Sequence, residues 1–161
     1  MKTITPQEFE SLLPLAAAWA AEQEDTILQS GVPLNDSQMA DALQLGLEHP
    51  DRVRLLRVTQ IPMPSDPILA AAASATDLIS HRTAGLTVRY GIFVRSDYWL
   101  NRLLVAHELV HTLQYERLGG FEAFLRPYLI ECLTSPGYPY GPMESEADVV
   151  SKTLCDYQPR S

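Results

Sequence analysis

Hydrophobic residues recur every three or four positions in six segments of the chain, which is the period of an amphipathic helix. Glycine and proline, which favour turns, separate most of these segments. The pattern therefore predicts six helices: Pro6 to about Gln29, Asp36 to about Leu47, Asp66 to about Ser80, Ser96 to about Leu118, Phe121 to about Leu133, and Pro142 to about Cys155.

Local signals set the predicted helix ends. Thr5 and Glu8 form a capping box, with a proline at the first helical position between them. Pro14 lies inside the first helix and predicts a break or a bend there. Ser96 or Asp97 is expected to cap the fourth helix.

Two segments alternate between hydrophobic and polar residues, which is typical of a half-buried strand. The first runs from Val53 to Ile61. In the second, from Leu86 to Val94, Gly91 predicts either a bulge or a tight hairpin near Arg89 to Gly91, and both would leave a strand edge exposed. The predicted fold class is α+β, mostly α, with a small antiparallel or mixed sheet.

Length and charge limit the domain organisation and the class of partner. A length of 161 residues fits one domain, with a helical N-terminal region over 1–50 and a core over 51–155. The net charge of −8 argues against nucleic acid or an anionic membrane as a partner, since both require clustered Lys and Arg. A peptide or protein partner is compatible with this charge.

We expect a soluble cytoplasmic protein. No apolar run reaches the roughly 18 residues of a membrane-spanning helix. Glu8 and Glu10 precede the apolar stretch from Leu12 to Ala21, where an export signal would carry basic residues. Cys132 and Cys155 form no CxxC pair, so reduced thiols are expected rather than a disulfide framework or a thiolate zinc site.

The run His107, Glu108, Leu109, Val110, His111 falls within the fourth predicted helix. Two histidines four positions apart lie one turn apart on one face, so both imidazoles can reach one metal ion. Glu108 can lean over the open position of that metal as a general base. The alternative is a pair of structural imidazoles in the core.

Catalytic zinc sites have three protein ligands, so a third donor is required from elsewhere in the chain. The candidates are His49 and His81 before the motif, and Glu144, Glu146 and Asp148 after it. Glu144 and Asp148 lie four positions apart on one helix face, so one could bind the metal while the other holds a ligand imidazole.

HExxH followed by a helix with ExxxD, here from Glu144 to Asp148, resembles the gluzincin type of zincin metalloprotease. The surrounding sequence is similar to small bacterial minimal zincins in residues 84–95, in HELVHTLQY and in YPYGPMESEAD, and the resemblance covers about residues 84–150. It implies a zincin-like core in which the HExxH helix packs against a small sheet. The implied roles are zinc binding by His107, His111 and Glu144, general base catalysis by Glu108, and support of a histidine by Asp148.

The resemblance implies a zinc-dependent peptidase that acts on a peptide or protein. Tyr138 and Tyr140 precede the third ligand and could donate a hydrogen bond to a developing oxyanion. Two alternatives stay open: a zinc-stabilised binding or regulatory module that has lost catalysis, and a metal-free helical interaction domain. The sequence leaves the oligomeric state and the cleaved peptide open.

Overall fold

Six α-helices and four β-strands form the part of the chain that the computed structural model describes, residues 4–156. The helices are α1 (Pro6–Ser30), α2 (Asp36–Leu45), α3 (Pro67–Ala75), α4 (Arg102–Leu118), α5 (Phe121–Leu133) and α6 (Pro142–Asp156). The strands are β1 (Val32–Pro33), β2 (Arg54–Val58), β3 (Gly85–Val88) and β4 (Gly91–Arg95). Short 3-10 turns span Pro50–Arg52 and Ser96–Tyr98. The predicted class, α+β and mostly α, is confirmed.

The strands form one mixed sheet in the order β1-β2-β4-β3. The central strands β2 and β4 are parallel, with Leu55 opposite Ile92, while β1 and β3 run antiparallel to their neighbours. β3 therefore lies at an edge of the sheet. The strand predicted over Val53 to Ile61 is shorter than expected, and β1 was not predicted, because two residues are too few to show an alternation.

Both faces of the sheet are covered by helices. Ile92 and Val94 belong to a core that includes residues of α2 and α4, whereas Phe93 packs in a second core with residues of α1 and α3. This alternation along β4 follows from the strand period of two. The helices α5 and α6 pack against α4, which brings three helices together near the HExxH motif.

The turn between β3 and β4 is a tight hairpin, one of the two predicted options. Arg89 adopts a left-handed backbone conformation with φ of 64°. The buried Glu24 of α1 accepts hydrogen bonds from Arg89 Nε and Nη2 at 2.8 and 2.7 Å, and from the Tyr90 amide at 3.0 Å. Thr112 of α4 donates to the Arg89 carbonyl at 2.7 Å. We call the contacts of Glu24 with Arg89 and Tyr90 the Glu24 anchor.

The start of α4 differs from the prediction. Asn101, not Ser96 or Asp97, caps the helix, and its Oδ1 accepts from the Leu104 amide at 2.9 Å. The Asp97 carboxylate instead accepts from Arg95 at 2.7 and 3.0 Å within the preceding turn. Because Arg95 binds the Asp97 carboxylate, that carboxylate does not cap α4.

Two helices differ from the prediction in part. α1 continues through Pro14 without a break, and Pro14 is exposed, so water can reach the Glu10 carbonyl that lacks its usual amide partner. α3 ends at Ala75 rather than near Ser80, and Asp77 just beyond it has a left-handed φ of 59° that an α-helix cannot continue. No helix within residues 4–156 is long and apolar enough to cross a membrane.

Candidate metal centre

Two histidines of α4 and one glutamate of α6 bring their donor atoms together. His107 Nε2 and His111 Nε2 are 3.2 Å apart, as expected for residues one helical turn apart on one face. Glu144, in the first turn of α6, places Oε2 3.0 Å from His107 Nε2 and Oε1 3.0 Å from His111 Nε2. These three residues form the group that we call the metal cluster.

The donor set of the metal cluster fits zinc. Two imidazoles and a carboxylate are a common ligand set of catalytic zinc, which keeps a fourth position open. Zinc–nitrogen bonds of about 2.0–2.1 Å in tetrahedral geometry separate neighbouring donor atoms by about 3.3 Å. The observed separations of 3.0 to 3.2 Å are close to that spacing.

Both histidines are held by their second ring nitrogen. His107 Nδ1 lies 3.0 Å from Asp148 Oδ1, and His111 Nδ1 lies 2.8 Å from Gln114 Oε1. The Gln114 amide nitrogen donates to the Met143 carbonyl, which fixes its orientation. Because these oxygens can only accept, each Nδ1 carries the proton and each Nε2 can present a lone pair to a metal.

Gln114 is a positioning residue that the sequence did not single out. Its amide nitrogen also donates to Glu146 Oε1 at 2.9 Å, and Arg117 lies 3.2 Å from the same oxygen. Glu146 therefore faces Gln114 and Arg117 rather than the metal cluster. The only available signal was the spacing of three between His111 and Gln114, which places both on one face of α4.

The other candidate third ligands lie elsewhere. The His49 ring packs edge-on against Tyr90, with its backbone amide bonded to Glu116 at 2.9 Å. His81 is exposed, and its carbonyl accepts from Arg95. Among the described residues, the group able to hold a metal contains neither of these histidines.

Glu108 is buried beside the edge strand. Thr87 Oγ1 of β3 lies 2.6 Å from Glu108 Oε2 and 3.0 Å from the Glu108 carbonyl. A methyl group added at Gly85 would lie 2.9 Å from Glu108 Oε1, so only glycine leaves room for the carboxylate in this position. Glu108 borders the same cavity as His107 and Glu144.

Three tyrosines differ in their position relative to Glu144. The Tyr128 hydroxyl of α5 donates to Glu144 Oε1 at 2.6 Å. The sequence did not predict this contact, because the helical pattern indicates only that Tyr128 lies on a buried helix face. Tyr138 lines the cavity, where burial and the charges of Glu144 and Glu108 raise the pKa of its phenol, so it stays a donor. Tyr140 is 69% exposed and does not line that cavity.

The electrostatics of the cluster favour a bound cation. Burial lowers the pKa of His111, but its hydrogen bond to Glu144 and the charges of Glu144 and Glu108 outweigh this and raise it to about 9. Burial raises the pKa of Glu144, yet hydrogen bonds from His107 and His111 hold it well below its ordinary value. A metal ion would replace the protons that these charges attract.

No protein-family model, curated protein or solved structure matches this chain. The features of this chain that indicate a function are the donor atoms of the metal cluster, Glu108 and the cavity that they share.

That cavity has a volume of about 110 Å³ and a mostly apolar wall. Helices α1, α3 and α5 form much of it, and β3, α4, Tyr138 and the first turn of α6 also contribute. His107, His111 and Glu144 are among the lining residues. The arrangement offers a metal ion, a carboxylate base and space for an apolar group at one place.

Proposed function

We propose that this chain is a zinc-dependent peptidase of the gluzincin type of zincin. The convergence of His107 Nε2, His111 Nε2 and Glu144 beside Glu108 carries the proposal. Each histidine has an acceptor behind its second nitrogen, as metal-binding imidazoles commonly do. A pair of core histidines without a metal would need neither a third donor at 3.0 Å nor a carboxylate beside the same cavity.

Zinc held by His107, His111 and Glu144 would lower the pKa of a bound water and polarise the carbonyl of the scissile bond. Glu108 takes a proton from the attacking water and passes it to the leaving amine. Thr87 holds the Glu108 carboxylate in place through the bond to Oε2. The Tyr138 phenol, kept protonated by burial, can donate to the oxyanion that develops on the carbonyl oxygen.

The edge strand β3 suits an extended peptide. Its residues Gly85 to Val88 line the cavity, and its pairing with β4 leaves the other edge available within the described sheet. A substrate added as a further strand would be oriented by main-chain hydrogen bonds. The carbonyl groups of the substrate would then lie beside Glu108.

The experiment compares Glu108→Gln with Glu122→Gln, which changes an exposed carboxylate of α5 in the same way. Zinc content is measured by elemental analysis, and cleavage is measured by profiling a proteome-derived peptide library. We expect both variants to keep zinc, and only Glu108→Gln to lose roughly 100-fold or more in cleavage rate. Equal cleavage by Glu108→Gln and the unmodified protein would overturn the mechanism.

The same experiment separates the peptidase from the alternatives. A protein that binds zinc, gains thermal stability from it and cleaves no peptide would be a binding or regulatory module. A protein that neither retains zinc nor is stabilised by it would be a metal-free interaction domain.

A further inference from the structure

The cavity beside the metal cluster is lined mostly by apolar side chains. Side chains from three helices contribute to it: Ala16 and Trp19 of α1, Ala72 of α3, and Leu125 and Leu129 of α5. The described lining contains two carboxylates, Glu108 and Glu144, and no lysine or arginine. A negatively charged side chain that entered would lose its hydration without gaining a partner of opposite charge.

The cavity and the metal cluster are continuous. His107, His111 and Glu144 line the same cavity as the apolar residues of α1, α3 and α5. A group bound with its carbonyl at the metal cluster would therefore extend a neighbouring side chain into the apolar part. The wall also includes residues of α1 and α3, which lie outside the segment that carries the HExxH and ExxxD motifs.

The volume limits the size of that side chain. An apolar cavity of about 150 Å³ holds one benzene ring. At about 110 Å³ this cavity is smaller, and part of it lies at the metal cluster, so it accommodates a single aliphatic side chain. An alanine side chain would leave most of the space unfilled and most of the wall without contact.

We propose that the cavity selects substrates with one large apolar side chain, of the size of leucine or methionine, next to the cleaved peptide bond. The inference rests on the proposed peptidase function. It assigns specificity to α1, α3 and α5, while the metal cluster and Glu108 supply the chemistry.

Two peptide hydroxamates test this directly, because the hydroxamate binds zinc without being cleaved. They differ in one position beside the zinc-binding group, which carries the side chain of leucine in one and of alanine in the other. Each is titrated into zinc-loaded protein and measured by calorimetry. We expect the leucine compound to bind roughly 10-fold or more tightly. Trp19 lines the cavity, so its fluorescence should change with the leucine compound only.

A pair of variants on α3 gives a matched control. Ala72→Leu adds bulk inside the cavity, whereas Ala71→Leu adds the same bulk to an exposed position of the same helix. Ala72→Leu should weaken binding of the leucine compound and so remove most of the preference for it. Ala71→Leu should keep the preference. Thermal unfolding and zinc affinity of both variants establish that they are folded and loaded.

The outcomes distinguish the two proposals. Equal affinity of the unmodified protein for both hydroxamates would overturn the apolar specificity and leave the peptidase intact. Preference for leucine in a protein that cleaves no library peptide would support the cavity assignment and overturn the peptidase. Cleavage with a large apolar residue at one fixed position beside the broken bond would support both.

Discussion

Replacing Tyr128 with phenylalanine removes one hydroxyl group from the buried interior next to the metal cluster. That hydroxyl donates to Glu144 Oε1 at 2.6 Å, the short distance of a hydrogen bond to a charged acceptor. The ring itself stays, because phenylalanine has the same shape and keeps the packing against Phe124. The change therefore isolates the support given to one proposed metal ligand.

The expected magnitude follows from that bond. A hydrogen bond to a charged group contributes about 1.5–3 kcal/mol. Removal of a residue that supports a metal ligand commonly weakens metal binding about 10- to 100-fold, which equals about 1.4–2.8 kcal/mol. Since the two ranges agree, we expect the zinc dissociation constant of Tyr128→Phe to rise about 10- to 100-fold.

The assay is a competition titration with a chromophoric zinc chelator at fixed pH. Tyr115→Phe is the matched control, since Tyr115 is also buried and stacks on Phe124 but belongs to α4. In a Glu144→Gln background the effect of Tyr128→Phe should shrink, because the acceptor has lost its charge. Unchanged zinc affinity in a folded Tyr128→Phe protein would refute the assigned role of the hydroxyl.

Three further predictions concern other parts of the molecule. Gly85→Ala should lower peptide cleavage at least about 10-fold, because its methyl group would displace the Glu108 carboxylate that we propose as the general base. Glu24→Gln should lower the free energy of unfolding in urea by about 3 kcal/mol, the low end for a buried pair, since 34% of the Arg89 side chain is exposed. Burial raises the pKa of the Cys132 thiol to about 12, so iodoacetamide at pH 8 should modify it only as the protein unfolds.

Each of these three predictions has its own control. Zinc affinity of Gly85→Ala should stay unchanged, and weaker binding would mean that the metal cluster itself had moved. Glu10→Gln breaks an exposed pair with Arg126 and should lower the free energy of unfolding far less, so equal losses for the two glutamates would contradict the role given to Glu24. Mass spectrometry should show the half-buried Cys155 alkylated first, and equal labelling rates would rule out protection of Cys132.

The features that the sequence predicted best depend on neighbours along the chain. Helical period places His107 and His111 on one face, and their Nε2 atoms lie 3.2 Å apart. The capping box at Thr5 forms as expected, since both partners lie within one turn. Residue spacing alone did not decide which residue is the third metal-ligand candidate, because the choice between Glu144 and His49 depends on how α6 packs on α4. No periodicity encodes that packing.

Misplaced and missed features arise where a side chain has two possible partners. Asp97 is a residue type that commonly caps helices, but its carboxylate accepts a hydrogen bond from Arg95, two residues away, instead of from a helix amide. Tyr128 occupies an ordinary position on a buried helix face, and only the approach of α6 gives its hydroxyl a role. Gln114 lies three positions from His111 on one face of α4, but its contact with the His111 imidazole depends on the acceptors that fix its amide nitrogen.

The Glu24 anchor has a consequence for how the protein could be divided. Every residue assigned to zinc binding or proton transfer lies between His107 and Asp148, which invites transplantation of that segment as a minimal catalyst. The anchor joins Glu24 to Arg89, 65 positions along the chain, and so fixes the hairpin whose strand β3 holds Glu108. A segment cut free of α1 would keep all of its ligands and lose the support of its base. The residues proposed to bind zinc and to transfer the proton lie close together in the sequence, but the contacts that support them begin in α1.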